Sequence, residues 1–132
     1  MIAVDTNILI RFFIRDDERQ FTLVNNLFKK AEDEKDSIFI SDIVLVEFVW
    51  VLKRGYSIPK VKIIDTLNTI GGNNIFTFQN KFRFKKALKE FRGNSGDFAD
   101  YLIGQTGHEN RAITTYTFDK KIRNSAFFTI LK

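Results

Sequence analysis

The chain has no cysteine and only one histidine and one proline among its 132 residues. Without cysteine, neither a disulfide framework nor a thiolate-ligated metal site can form. The single histidine, His108, argues against histidine-based zinc chemistry and against a serine–histidine–aspartate triad. Any metal site must therefore be built from oxygen ligands, which suit Mg²⁺, Mn²⁺ and Ca²⁺.

Long apolar runs and a signal-peptide pattern are also lacking. No run of about 18 apolar residues occurs, so we expect no membrane-spanning segment. The first apolar stretch is interrupted by Asp5 and Arg11, which does not fit a secretory leader. A cytoplasmic protein without membrane association is the default expectation. The length predicts a single domain over residues 1–132. The net charge of +5 is compatible with nucleic acid or an acidic protein as partner, but many soluble proteins are this basic.

Short apolar strands alternate with helical patterns along the chain. This alternation predicts an α/β sandwich with a mainly parallel sheet, in which the functional crevice lies at the carboxyl ends of the strands. We predict strands at residues 2–4, 38–40, 75–78, 112–118 and 127–131, and helices at residues 8–14, 21–35, 43–52, 57–70, 80–91 and 97–109.

Glu47 is the one carboxylate in the apolar run 43–52. Glutamate is seldom fully buried unless it is paired, because an isolated buried carboxylate is costly or becomes neutralised. Glu47 is therefore either a surface residue on a weakly amphipathic element or a member of a site that supplies positive charge. The run lies between a cap at Ser41 or Asp42 and a stop at Gly55, and this length favours a buried helix.

Four other carboxylates occupy positions where a parallel sheet exposes its carboxyl edge. Asp5 follows the first strand, Asp119 follows the fourth, and Asp97 and Asp100 stand in the first turn of the last helix. Together with Glu47, they could converge on one edge. Clustered carboxylates repel one another, and a divalent cation reverses this because it favours ionised oxygen ligands. Such a site suits metal-assisted phosphodiester hydrolysis.

Each of these acids also has a structural explanation. Asp5 could be a helix cap, Asp97 and Asp100 could form a capping pair favoured by the helix dipole, and Asp119 could lie in an ordinary turn. Spacing alone does not prove that they meet.

Four segments of the chain match one family in order. They are Val4-Asp5-Thr6-Asn7-Ile8-Leu9-Ile10-Arg11, Ile40-Ser41 with Val44-Leu45-Val46-Glu47-Phe48-Val49-Trp50-Val51-Leu52, Asp97-Phe98-Ala99-Asp100-Tyr101-Leu102-Ile103, and Thr115-Tyr116-Thr117-Phe118-Asp119-Lys120-Lys121. Through them the chain resembles the PIN domain, and more narrowly the VapC-type ribonuclease toxins of bacterial toxin–antitoxin pairs. The resemblance covers nearly the whole length.

The resemblance implies a PIN-like three-layer α/β/α sandwich and a metal-dependent endoribonuclease. Asp5, Glu47, Asp100 and Asp119 would be the catalytic residues and would hold Mg²⁺ or Mn²⁺, with Asp97 as a secondary ligand. Hydrolysis of RNA would leave a 3′-hydroxyl and a 5′-phosphate.

The resemblance also implies supporting residues and partners. Asn7 and Thr117 would orient carboxylates or water by hydrogen bonds. The partners would be RNA, a second copy of the chain, and a VapB-type antitoxin that silences the toxin and can form a hetero-oligomer with it. Gly104 stands where many relatives have alanine, a departure that we expect to matter little.

Arg11 and Arg15, four residues apart, could contact RNA phosphates or an acidic antitoxin segment, although a solvated helix face explains them slightly better. Two other functions stay open. A PIN-like RNA-binding module without catalysis would be expected to lack one or more of the acids, and all are present. A haloacid-dehalogenase-like phosphatase would carry a second aspartate two residues after Asp5, where this chain has Asn7.

Overall fold

The computed structural model describes residues 1–132 and divides into two compact units, Met1–Gln79 and Asn80–Lys132. The predicted α/β class is confirmed, since helices alternate with strands and every strand pairing is parallel. No helix is both long enough and apolar enough to cross a membrane.

The first unit is built around a three-stranded parallel sheet. Its strand order is β1-β2-β3, with Ile2 opposite Ile38 and Ile38 opposite Phe76. The elements are β1 (Ile2–Ala3), α1 (Thr6–Phe13), α2 (Glu18–Asp33), β2 (Ile38–Ile40), α3 (Asp42–Trp50), a turn of π-helix (Val51–Gly55), α4 (Lys60–Gly72) and β3 (Phe76–Phe78).

Short polar side chains cap three of the four α-helices of this unit, α1, α2 and α3. The Asp17 carboxylate accepts a hydrogen bond from the backbone N–H of Gln20 at 3.0 Å, so α2 begins three residues before the apolar pattern predicted. Of the two predicted caps for α3, Ser41 is the one used, and its hydroxyl accepts from the Val44 N–H at 3.2 Å.

Helix α3 is not the buried helix that its apolar sequence predicted. Leu45, Phe48 and Val49 pack into the core, whereas Ile43 is 72 % exposed and Trp50 61 % exposed. Glu47 lies on the exposed side with them. The prediction failed because a run that is apolar all round gives no periodicity that marks the outer face.

The second unit contains two packed helices and a two-stranded sheet. Strand β4 pairs in parallel with β5, with Thr115 opposite Phe128. The elements are α5 (Lys81–Gly93), α6 (Phe98–Glu109), β4 (Thr115–Thr117), a short 3₁₀ helix (Lys120–Ile122) and β5 (Phe128–Ile130).

Strand β4 starts at Thr115, three residues later than the strand predicted at residues 112–118. After α6, Arg111 adopts a left-handed conformation with φ of 65°, and the Ala112 N–H donates to the Gly107 carbonyl at 3.0 Å. These residues therefore form the helix C-terminus and the chain reversal, and extended pairing begins only at Thr115.

An aromatic cluster forms the core of the second unit. The ring of Phe98 lies 6.2 Å from that of Phe84 and 5.9 Å from that of Phe91, both in edge-to-face geometry. All three side chains are buried. This core fixes the first turn of α6, which carries two of the predicted acids.

Candidate active site

The predicted site residues fall into both units, and each set is described within its own unit. Asp5, Asn7 and Glu47 belong to the first, and the remaining acids and Thr117 belong to the second. No group of three or more Asp, Glu or His side chains in the structure is arranged closely enough to hold a metal ion.

Asp5 is the N-cap of α1. Its Oδ1 accepts a hydrogen bond from the Ile8 N–H at 3.1 Å, and its backbone carbonyl accepts from Leu9. The cap leaves Oδ2 without a hydrogen-bond partner in the protein and leaves the side chain exposed. The helix start therefore fixes the carboxylate while one oxygen stays available to a ligand.

Glu47 is joined to the start of α1 by a side-chain contact. Its Oε1 accepts a hydrogen bond from the Thr6 hydroxyl at 3.3 Å. Because Thr6 directly follows Asp5, this bond places the Glu47 carboxylate at the same end of α1 as Asp5. The sequence reasoning missed Thr6, although its position between two predicted site residues was the available signal.

A surface groove of about 340 Å³ runs along α1 and α2 from this end. Its lining residues are Asp5, Asn7, Ile8, Arg11, Gln20, Leu23 and Val24. The lining combines the apolar side chains of Ile8, Leu23 and Val24 with polar ones, of which Asp5 and Asn7 lie at the beginning of α1 and Arg11 near its end.

Arg11 is held by side chains of its own unit. Its guanidinium donates to Asp16 at 3.0 Å, to the Tyr56 hydroxyl at 3.0 Å and to Gln20. The Tyr56 hydroxyl in turn donates to the second oxygen of Asp16 at 2.8 Å. This network ties the end of α1 to the loop before α2 and to the segment before α4.

Arg15 is likewise engaged locally. Its Nε donates to both carboxylate oxygens of Glu18, at 3.0 and 3.2 Å, and its guanidinium lies 4.1 Å from the centre of the Phe21 ring. Both arginines therefore have intramolecular partners, and a contact with RNA or an antitoxin stays a prediction.

Asp97 and Asp100 open α6 as the capping pair that their spacing predicted. Asp97 is the N-cap, and Asp100 Oδ2 accepts from the Asp97 N–H at 3.0 Å. Burial, together with the negative charges of Asp97 and Asp119, raises the pKa of Asp100 above its ordinary value, against the lowering effects of the Asp97 N–H and of Lys121. The three aspartates thus interact electrostatically.

Asp119 starts the 3₁₀ helix. Its Oδ1 accepts from the Lys121 N–H at 2.9 Å, and its own N–H donates to the Thr117 hydroxyl at 3.1 Å. The predicted supporting residue Thr117 therefore orients the backbone that carries Asp119. Asn7 is exposed in the groove of the first unit.

Two residues next to the second set were not predicted. Tyr101 is 1 % exposed, and its hydroxyl oxygen accepts from the Gly96 N–H at 2.8 Å. Burial raises the pKa of this phenol. A Cβ on Gly96 would stand 2.3 Å from Ile122 and 2.6 Å from the Tyr101 hydroxyl. The loop before Asp97 thus packs directly on the 3₁₀ helix that follows Asp119.

The donor set fits Mg²⁺ or Mn²⁺ in chemical type. All the predicted ligands are carboxylates, which these hard cations prefer. In the second unit, burial and the charges of Asp97 and Asp119 raise the pKa of Asp100, and a bound cation would favour its ionised form.

Comparisons with known proteins relate the chain to one family. A family profile described as PIN domain matches residues 2–127. A VapC ribonuclease of Aquifex aeolicus (strain VF5) is 22 % identical over 130 residues, which covers 98 % of this chain and 96 % of that protein. No solved structure matches the chain. Because the profile spans both units and nearly every residue, the chain belongs to the PIN domain family.

Proposed function

We propose that the protein is a Mg²⁺- or Mn²⁺-dependent endoribonuclease of the VapC type, the toxin of a toxin–antitoxin pair. The observation that carries the proposal is the group of aspartates at the start of α6 and after β4, where burial, together with the charges of Asp97 and Asp119, raises the pKa of Asp100. Perturbed carboxylates of this kind concentrate at functional sites. The similarity to a VapC ribonuclease over 98 % of the chain supports the same activity.

The proposed ligands are Asp5, Glu47, Asp100 and Asp119, with Asp97 as a secondary ligand. A bound divalent cation would lower the pKa of a water molecule and neutralise charge on the scissile phosphate. The family match over residues 2–127 supports a single PIN domain.

One side-chain hydroxyl and two backbone N–H groups position three of these carboxylates. Thr6 donates to Glu47, the Ile8 N–H holds Asp5, and the Lys121 N–H holds Asp119. In each case one carboxylate oxygen is bound by a protein donor, which fixes the orientation of the group. Ligands that are held in place before metal binding lose less entropy when the metal arrives.

The proposed partners are RNA, a VapB-type antitoxin and a second copy of the chain. The proposed place of action is the cytoplasm, where an RNA substrate is present. The exposed face of α3, with Ile43 and Trp50 on either side of Glu47, supports self-association. Large apolar side chains at a surface often mark an interface, and tryptophan is enriched there.

Cleavage of total RNA with and without millimolar Mg²⁺ tests the activity. We expect cleavage by the wild type that stops when the metal is chelated. Asp5→Asn and Asp100→Asn should each reduce the rate by more than about 100-fold, since even the outer partners of metal ligands contribute about 10- to 100-fold. Asn keeps an oxygen that can accept the capping hydrogen bonds, so both variants should stay folded.

Asp65→Asn is the matched control, because Asp65 is exposed on α4 and belongs to no predicted site. It should cleave RNA like the wild type. Undiminished cleavage by both Asp5→Asn and Asp100→Asn would refute the proposal. RNA binding without any cleavage by the wild type would instead indicate a non-catalytic PIN-like module.

A further inference from the structure

A basic pocket of about 250 Å³ lies in the second unit next to the candidate acids. Its lining residues are Ser95, Lys120, Lys121, Arg123 and Asn124, and we call it the basic pocket. Three of the five side chains are cationic, and the other two can donate hydrogen bonds. The pocket therefore presents donors and positive charge, and no carboxylate lines it.

Close packing of the loop before α6 against the 3₁₀ helix Lys120–Ile122 builds this pocket. Gly96 lies against Ile122 and Tyr101 so closely that any Cβ would overlap them. Ile122 is buried, and the Tyr101 hydroxyl is bonded to the Gly96 N–H. This contact brings Ser95, before α6, to the cationic segment 120–124 that follows Asp119.

No hydrogen bond or ion pair involves the side chains of Lys120, Lys121 or Arg123. Arg11 and Arg15, by contrast, each bind a carboxylate. Three like charges gathered around one concavity repel one another, and an anion bound there would relieve that repulsion.

The pocket is also adjacent to the acids of the proposed active site. Lys120 and Lys121 directly follow Asp119, and the charge of Lys121 acts on Asp100. An RNA strand carries one negative charge per nucleotide. It could thus place one phosphate at the acids and a neighbouring phosphate in the pocket. Arginine and lysine are the usual side chains that bind such phosphates.

We propose that the basic pocket binds a backbone phosphodiester of the RNA strand, next to the phosphodiester that is cleaved. This inference rests on the proposed function and adds a second contact for the same substrate. The pocket would bind the negative charge of a phosphate and contact no base. It would therefore increase affinity and position the RNA strand irrespective of the RNA sequence.

The test variant is Lys120→Ala/Arg123→Ala, which leaves Lys121 in place near Asp100. Its matched control is Lys29→Ala/Lys62→Ala, which removes two exposed lysines from α2 and α4. Binding of a fluorescent single-stranded oligoribonucleotide is measured by anisotropy in EDTA at several salt concentrations. Cleavage of the same oligonucleotide is then measured with Mg²⁺.

We expect the test variant to bind RNA at least about 10-fold more weakly, with a slope of log K against log salt that is smaller by roughly 0.7 for each lost phosphate contact. KM should rise while kcat changes little, a separation that a merely structural role would not produce. The control should match the wild type in the slope and in KM.

An unchanged slope and KM in the test variant would refute the basic pocket as a phosphate site. Equal binding of a polyglutamate peptide of the same length would also overturn it, since the pocket would then select any acidic chain. Failure of the proposed function is distinguishable, because it appears as no cleavage by the wild type. The binding comparison in EDTA still decides the role of the pocket in that case.

Discussion

Asp5 and Asp119 each use one carboxylate oxygen to bind a backbone N–H at the start of a helix. Asp100 does the same for the N–H of Asp97. The two explanations that the sequence left open for these residues, capping and catalysis, therefore do not exclude each other. The structural role fixes the carboxylate, and the remaining oxygen can serve as a ligand.

Asp100→Asn should stabilise the metal-free protein at neutral pH. Folding raises the pKa of Asp100 above its ordinary value of 3.8, mainly through burial. A carboxyl group whose pKa is higher in the folded than in the unfolded state stabilises the fold at pH values below the unfolded-state pKa. This contribution is lost as the pH rises through the folded-state pKa. The variant cannot ionise, so it should melt at a higher temperature than the wild type at pH 7 but not at pH 3.

Melting curves in EDTA at both pH values measure this difference. Asp65→Asn should show no such pH-dependent gain, since that side chain lies exposed on α4. A melting temperature of Asp100→Asn below that of the wild type at pH 7 would contradict the prediction.

Glu47→Gln should lose activity without losing stability. Glu47 is exposed, and a glutamine keeps an oxygen that can accept from Thr6. Exposed substitutions of this kind change the free energy of unfolding by less than about 0.5 kcal/mol. We expect RNA cleavage and Mg²⁺ affinity to fall together while the melting temperature stays within about 2 °C of the wild type.

Glu32→Gln, on the exposed side of α2, is the control for this substitution and should retain full cleavage. A marked fall in melting temperature for Glu47→Gln would show that the Glu47 contact is structural.

At the scale of elements, Gly104 bears on one sequence-based expectation. A Cβ at this position of α6 would stand 2.6 Å from the Phe128 ring of β5. The expectation that glycine in place of alanine matters little stays a prediction, which this contact makes testable. Here the glycine lets the helix and the strand approach each other.

Gly104→Ala should accordingly lower the free energy of unfolding by about 1 kcal/mol. The gain of about 1 kcal/mol in helix propensity is outweighed by overpacking, which costs about 1–3 kcal/mol. Gly93→Ala is the control, since a Cβ there meets nothing within 4 Å and should be neutral or stabilising. Urea unfolding curves measure both variants. Equal stability of Gly104→Ala and the wild type would mean that Phe128 moves aside at little cost.

The order of elements and the caps of several helices could be predicted from local sequence. Asp5, Ser41 and Asp97 are short polar residues before helical patterns, and each caps a helix. Such interactions join residues three or four positions apart, so the chemistry is visible in the sequence.

Contacts between distant residues could not be predicted in this way. Arg11 and Tyr56 are 45 positions apart, and the Thr6–Glu47 bond spans 41. The sequence pattern did not show which face of α3 is exposed, because both faces carry large apolar residues. Which of them becomes buried depends on packing that no local pattern encodes.

At the scale of the whole molecule, we expect residues 1–132 to unfold as a single cooperative domain, as chains of this length usually do. The chain supplies one natural probe for each unit. Trp50, the only tryptophan, lies in the first unit, and His108, the only histidine, stacks on Phe127 in the second, with ring centres 4.4 Å apart.

Trp50 fluorescence and the NMR signal of the His108 ring should therefore report the same urea midpoint within experimental error. Far-ultraviolet circular dichroism, which follows all six helices, is the reference measurement. Two separate midpoints would show that the compact units are independent domains.

The caps formed by Asp5 and Asp119 determine how an inactive form of this protein should be prepared. Alanine at either position would remove the ligand and also leave a backbone N–H of Ile8 or Lys121 without its acceptor. The loss of such a cap weakens a helix by about 1 kcal/mol, so an alanine variant would confound folding with catalysis. Asparagine is as good an N-cap as aspartate but carries no charge. Under the proposed function, asparagine variants are therefore the appropriate inactive proteins for trapping an uncleaved RNA or for producing the chain in a host cell.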